Sequence, residues 1–120
     1  VHELGLLRSV VAAVEKVAHD AGATAVEAVG LRVGTLSGAV PVALHGSWPL
    51  ATAGTVVAGA RLDLDMVTAA VWCATCDAEQ PVDEFFALEC PVCATPTAQL
   101  VRGRELTVTY AELDVPGSHS

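Results

Sequence analysis

Val71-Trp72-Cys73-Ala74-Thr75-Cys76 and Cys90-Pro91-Val92-Cys93 together hold all four cysteines of the chain. Two residues between the thiols of a pair let both sulfurs turn toward one point. The 13 residues between the pairs are enough to bring the second pair round to it. Four thiolates at about 2.3 Å in a tetrahedron suit Zn²⁺ and leave no open position for catalysis. The spacing predicts one structural zinc site held by Cys73, Cys76, Cys90 and Cys93. A thioredoxin-like use would need a Cys-x-x-Cys at the start of a helix, and both pairs fall in a short, turn-rich insert. Disulfides and an iron centre are the other uses of such a set. No basic region leads into an uninterrupted apolar run at the N-terminus, so a secretory leader is not expected, and structural zinc implies a reducing cytoplasm.

Outward from this insert, the chain alternates between two periodicities. From His2 to Ala21, Leu4, Leu7, Val11, Val14 and Ala18 recur at helical steps, with Val10 and Val17 widening the stripe. Gly22 is a stop that can take positive φ. Val26 to Gly34 reads as a strand, with Gly30 and Arg32 on the outer face. Ala39 to Thr52 has a helical composition with Pro41 fit for a first turn. Gly46 and Pro49 predict a kinked or shortened helix there, closed by Gly54. Ala60 to Thr68 alternates, Leu62, Leu64 and Met66 against Arg61, Asp63 and Asp65. Glu105 to Leu113 alternates again, with Leu106, Val108 and Tyr110 on one side.

This order predicts an α+β fold: a three-stranded sheet with two helices against it, carrying a small zinc-ribbon-like insert. The domain boundaries expected are 1–69 with 98–120 for the main body and 70–97 for the insert. The insert's own core is small, with Val82, Phe85, Phe86 and Leu88 available, so metal bonds should supply much of its folding energy.

The 120-residue chain is 52% hydrophobic with a formal charge of −8, and a zinc tetrathiolate adds about two more negative charges. Six scattered Lys and Arg residues make a poor nucleic-acid surface. No stretch reaches the roughly 18 apolar residues of a membrane span. No phosphate loop or nucleophile–base set is present.

His2 lies beside the N-terminal end of the first predicted helix. On position alone a lone surface histidine is most often inert. An imidazole next to a free α-amine can nevertheless bind a late first-row metal, with deprotonated backbone amides completing the set and Glu3 adding a carboxylate. His19 and His45 read as surface residues, and His119 falls in a frayed tail where it could bind stray metal. Asp63, Asp65, Asp83 and Glu84 read as solvated faces, or as a match for a basic partner.

Val1-His2-Glu3-Leu4 resembles the Met-His-Glu start of the HypA/HybF family, nickel-insertion accessory proteins of [NiFe]-hydrogenase maturation. Gly54-Thr55, the run Gly59-Ala60-Arg61-Leu62-Asp63-Leu64, the two cysteine pairs and Gly103-Arg104-Glu105-Leu106 extend that resemblance over nearly the whole chain. It implies a nickel metallochaperone, with Ni²⁺ held by His2, the Val1 α-amine, the backbone amides of His2 and Glu3, and the Glu3 side chain close by. It also implies as partners a nickel-handling GTPase, the hydrogenase large subunit and, for some members, urease maturation. The alternative is a zinc-ribbon interaction or nucleic-acid-binding module without nickel delivery. Three positions depart from the family pattern. Val1 replaces Met, as a GTG start read as valine would give. Ala94 replaces the Gly that follows the last cysteine, and Gly46, Trp48 and Pro49 interrupt the second helix.

Overall fold

The computed structural model describes residues 2–83, 87–97 and 99–117. Val1, the His2 side chain, Glu84, Phe85, Phe86 and His119, all named from the sequence, lie outside the described residues. In chain order the elements are α1 (His2–Asp20), β1 (Ala25–Gly34), α2 (Pro41–Thr52), β2 (Arg61–Val67), β3 (Ala70–Cys73), β4 (Ala78–Pro81), β5 (Leu100–Arg102) and β6 (Leu106–Asp114). The fold is mixed α+β. One three-stranded sheet has the order β2-β1-β6 and a second the order β4-β3-β5.

The first compact unit comprises Val1–Leu31, Ala39–Leu64 and Val108–Ser120. Within it α1 and α2 pack on each other. Leu7, Val10, Val11, Val14 and Ala18 of α1 are buried, as the stripe predicts, and Leu4 is half-buried. Each fully buried Leu or Val contributes about 1.5–3 kcal/mol. Val17 is an exception. It is 54% exposed and lines a shallow apolar groove with Ala13, Val108 and Tyr110. Gly22, at φ +71, ends α1 and returns its N–H to the His19 carbonyl at 3.0 Å.

Pro41 takes the first position of α2, and the helix continues through Pro49 to Thr52 rather than stopping short. Pro49 gives up a backbone donor but keeps its carbonyl in use: Ala53 N–H donates to it at 3.1 Å. Thr52 Oγ1 donates to the Trp48 carbonyl at 3.0 Å. Trp48, an apparent oddity in the sequence, is buried and donates its indole N–H to the Ala60 carbonyl at 2.7 Å. Its size anchors the helix and its one polar atom is satisfied.

The outer face of β1 is not bare at Gly30. The Tyr110 ring occupies the space a Cβ would need there, and its hydroxyl donates to Asp63. Burial along β6 loses its alternation at Thr109 and Tyr110, which are both exposed. Tyr110, expected in one row with Leu106 and Val108, is exposed where those two are half-buried.

The second unit comprises Arg32–Gly38 and Asp65–Thr107. Here the structure adds what the sequence reading lacked, the sheet β4-β3-β5. β3 pairs antiparallel with β4, from Ala70 opposite Pro81 to Cys73 opposite Ala78. It pairs antiparallel with β5 through Ala70–Arg102 and Val71–Leu100. Ala69, Val71 and Val82 form the buried cluster, with Leu36 and Leu100 against it. Leu88, expected in this core, is 59% exposed.

Candidate metal centres

Cys73 ends β3, and the chain then turns through Thr75 and Cys76 into β4. Cys90 opens a second turn, next to a bridge between Glu89 and Pro96. The two turns share one construction. The residue after each pair's second cysteine takes positive φ, Asp77 at +53 and Ala94 at +62. Amide hydrogens point at the first sulfur of each pair: Cys76 N–H donates to Cys73 Sγ, and Val92 N–H to Cys90 Sγ, both at 3.4 Å. Neither pair opens a helix, so a thioredoxin-like arrangement is absent among the described residues.

The four sulfurs lie within 4.8 Å of one another. Sγ–Sγ separations are 3.5 Å for Cys73–Cys93, 3.5 Å for Cys76–Cys93 and 3.8 Å for Cys76–Cys90. Tetrahedral bonds of about 2.3 Å to one ion put sulfurs roughly 3.8 Å apart, whereas a disulfide needs about 2.05 Å. All four thiols are free of disulfides. The cluster is placed to hold one metal ion, and an all-thiolate set of this size fits zinc. It is the one such group of metal ligands among the described residues.

Thiol character within the cluster is uneven. The Thr95 hydroxyl, followed by its backbone N–H, draws Cys93 down to about 6. Hydrogen bonding with Cys93 and then Cys73 pushes Cys76 up to about 12. Cys73 and Cys90 are buried, Cys76 is half-buried and Cys93 is exposed.

At the other end of the sequence α1 begins at His2. The Glu3 carboxylate accepts the backbone N–H of Val40 at 3.4 Å. Val40 is the N-cap of α2 and makes no side-chain cap of its own. Glu3 thus serves a second helix's start, where a negative charge is favoured by unpaired amides and the helix dipole. Helical spacing cannot reveal that role, because the contact joins positions 37 apart. His19 and His45 are exposed and belong to no ligand cluster among the described residues.

The acidic residues of β2 are engaged. Asp63 pairs with Arg61 at 2.8 Å and Asp65 with Arg32 at 3.1 Å. Arg61, followed by the Tyr110 hydroxyl, holds Asp63 below the usual carboxylate range.

Residues 1–113 match the family described as hydrogenase/urease nickel incorporation, metallochaperone, hypA. The chain belongs to the HypA family. Among relatives named hydrogenase maturation factor HypA, the protein of Methylocella silvestris is 39% identical over 113 residues, covering 94% of this chain and 99% of that one. The Streptomyces avermitilis relative is 38% identical over 120 residues, 99% of this chain and 92% of its own. The solution structure of the Ni metallochaperone HypA from Helicobacter pylori shares the fold. It superposes with a TM-score of 0.66 at 18% identity, over 94% of this chain and 97% of that one. No helix among the described residues is long and apolar enough to cross a membrane.

Proposed function

We propose that this protein is a nickel metallochaperone that binds Ni²⁺ near its N-terminus and assists its insertion into [NiFe]-hydrogenase. The observation that carries the reading is the HypA-family match over residues 1–113, which includes His2 and Glu3. The His2 imidazole is the central ligand, with the amides of His2 and Glu3 and the Glu3 carboxylate beside it. A chain that starts at Val1 adds its α-amine.

The start of α1 favours this chemistry. The first amides of a helix have no intrahelical acceptor, so their use by a metal breaks no helical hydrogen bond. Negative charge on a deprotonated amide is also favoured at a helix N-terminus. Protonation of the imidazole or amine opens such a set, which suits an ion that must be handed on. Zinc stays at Cys73, Cys76, Cys90 and Cys93 as the resident metal and stabilises the fold around them. The receiving partners are a nickel-handling GTPase and the hydrogenase large subunit, with urease maturation proteins as a further destination, in the cytoplasm.

Calorimetry of untagged, zinc-loaded protein with Ni²⁺ tests the reading. His2→Ala is expected to weaken binding at least tenfold while the zinc content stays at about one per chain. An N-terminal extension should weaken it as well. Equal nickel affinity before and after His2→Ala would overturn the site, and the alternative of a zinc-ribbon interaction module would take its place.

A further inference from the structure

The two cysteine turns are joined by more than their sulfurs. Thr75 lies inside the first pair and Thr95 lies two residues beyond the second. Thr95 Oγ1 is 3.1 Å from Cys93 Sγ and donates to Thr75 Oγ1 at 3.0 Å. The Thr95 carbonyl also accepts the Cys90 N–H at 2.8 Å. One residue therefore touches a sulfur, a hydroxyl of the opposite turn and the backbone of the last pair's first cysteine.

The position of this contact is informative. Cys73 and Cys90 are buried and receive backbone N–H groups. Cys93 is the exposed residue of the four. When Cys93 is a thiolate it has no proton to give, so in the Sγ–Oγ1 pair the hydroxyl is the donor, beside the Thr95 backbone N–H. A hydroxyl proton rotates freely to the better acceptor. Thr95 then donates to sulfur, and Thr75 is left within reach to donate to Thr95. Hydrogen bonds from groups around a site orient its ligands and tune its hold on the metal.

We propose that Thr95 is a positioning residue for the zinc site: its hydroxyl, backed by Thr75, clasps the exposed Cys93 thiolate and sets how slowly the metal leaves. This rests on the reading of the four cysteines as a tetrathiolate zinc site. Cys93 is the ligand through which zinc is lost, and the threonine pair is what slows that loss.

The test uses the full chain loaded with zinc or with Co²⁺. Thr95→Val keeps the shape and the backbone contacts but removes the hydroxyl, and Thr95→Ser restores it. Zinc transfer to a chromophoric chelator is expected to run about tenfold faster in Thr95→Val and within about twofold of the parent in Thr95→Ser. Thr75→Val should fall between them. In the Co²⁺ protein, loss of the donor to sulfur should move the thiolate-to-cobalt charge-transfer band to lower energy in Thr95→Val alone of the two Thr95 variants. A parent protein without that band would overturn the tetrathiolate reading itself. A parent with the band, and a Thr95→Val variant with unchanged band and release rate, would overturn the clasp. Serine behaving like valine would do the same.

Discussion

Ala94 holds a left-handed backbone, φ +62, right after the last cysteine of the cluster, and its N–H donates to the Cys90 carbonyl at 2.8 Å. A Cβ in that region costs about 1–2 kcal/mol, partly offset in comparison with glycine by the smaller entropy of the unfolded alanine chain. Ala94→Gly should therefore raise stability by about 0.5–1 kcal/mol, read as a higher denaturant midpoint in the zinc-loaded protein. A lower midpoint would contradict the strain. Asp77 occupies the matching position of the first turn, and aspartate tolerates this region better than alanine. Tyr110 gives a second test at this scale, and it is the single tyrosine of the chain. Its hydroxyl donates to the Asp63 carboxylate, which raises its pKa above the ordinary value. Asp63 moves the other way, mainly through Arg61 and then through Tyr110. The signs fix two windows. The Asp63 contribution to stability is present above the usual carboxylate range and fades as pH falls through its lowered value. The Tyr110 contribution is present at neutral pH and fades as pH rises through its raised value. In Asp63→Asn the phenol should ionise at lower pH, followed by ultraviolet absorbance of the phenolate. An unmoved titration would remove the contact from the argument.

At the scale of elements, glycines separate close packing from open space. A Cβ on Gly34 would overlap the carbonyl of Gly103 and the nitrogen of Arg104, and one on Gly103 would overlap Ala69. Gly103 also sits at φ +129, and its carbonyl accepts the Leu36 N–H at 2.6 Å. Backbone cannot step aside as a side chain can. Gly103→Ala should cost roughly 2–4 kcal/mol, by thermal or denaturant unfolding. Gly46 in α2 has nothing within 4 Å of its missing Cβ. Gly46→Ala should instead stabilise by about 0.5–1 kcal/mol, since alanine is the better helix former. The contrast shows what a sequence can carry. The long elements were legible because α1 has a repeated apolar stripe and β1 and β2 alternate. The four cysteines were legible because metal geometry is written into spacing. β3, β4 and β5 were not, since strands of three or four residues such as Ala78-Glu-Gln-Pro81 are too short to display a period. β4 pairs with β3 across a short turn, from Cys73 opposite Ala78, whereas β5 is fixed by a partner distant in sequence, Ala70 opposite Arg102 and Val71 opposite Leu100. The Tyr110–Gly30–Asp63 arrangement and the Glu3 contact to α2 were hidden for the same reason: each is a tertiary contact between residues that look ordinary in isolation.

For the whole molecule, the question is what a metal held by the four cysteines would do for stability. The second unit has a buried cluster of Ala69, Val71 and Val82, helped by Leu36 and Leu100. That is little apolar area for a unit containing Arg32–Gly38 and Asp65–Thr107, and small cores of this kind usually need a staple. The first unit instead has helices with Leu7, Val14, Leu44 and Trp48 buried. A metal bound only by the folded arrangement of Cys73, Cys76, Cys90 and Cys93 contributes its binding free energy to folding. Chelation of the zinc should therefore act locally. Amide hydrogen exchange should accelerate in β3, β4 and β5 by two orders of magnitude or more, equivalent to at least about 2.7 kcal/mol, while the protected amides of α1 and α2 change little. Cys73→Ala should reproduce the pattern without a chelator, and it should be the more severe change because Cys73 is buried and closes β3 against Ala78 of β4. Uniform loss of protection from α1 to β6 would mean that the zinc site stabilises the entire chain as one cooperative body. Unchanged exchange in β3–β5 would mean that hydrogen bonds such as Trp72 N–H to the Gln99 carbonyl and Thr97 Oγ1 to the Trp72 carbonyl hold the sheet without the ion.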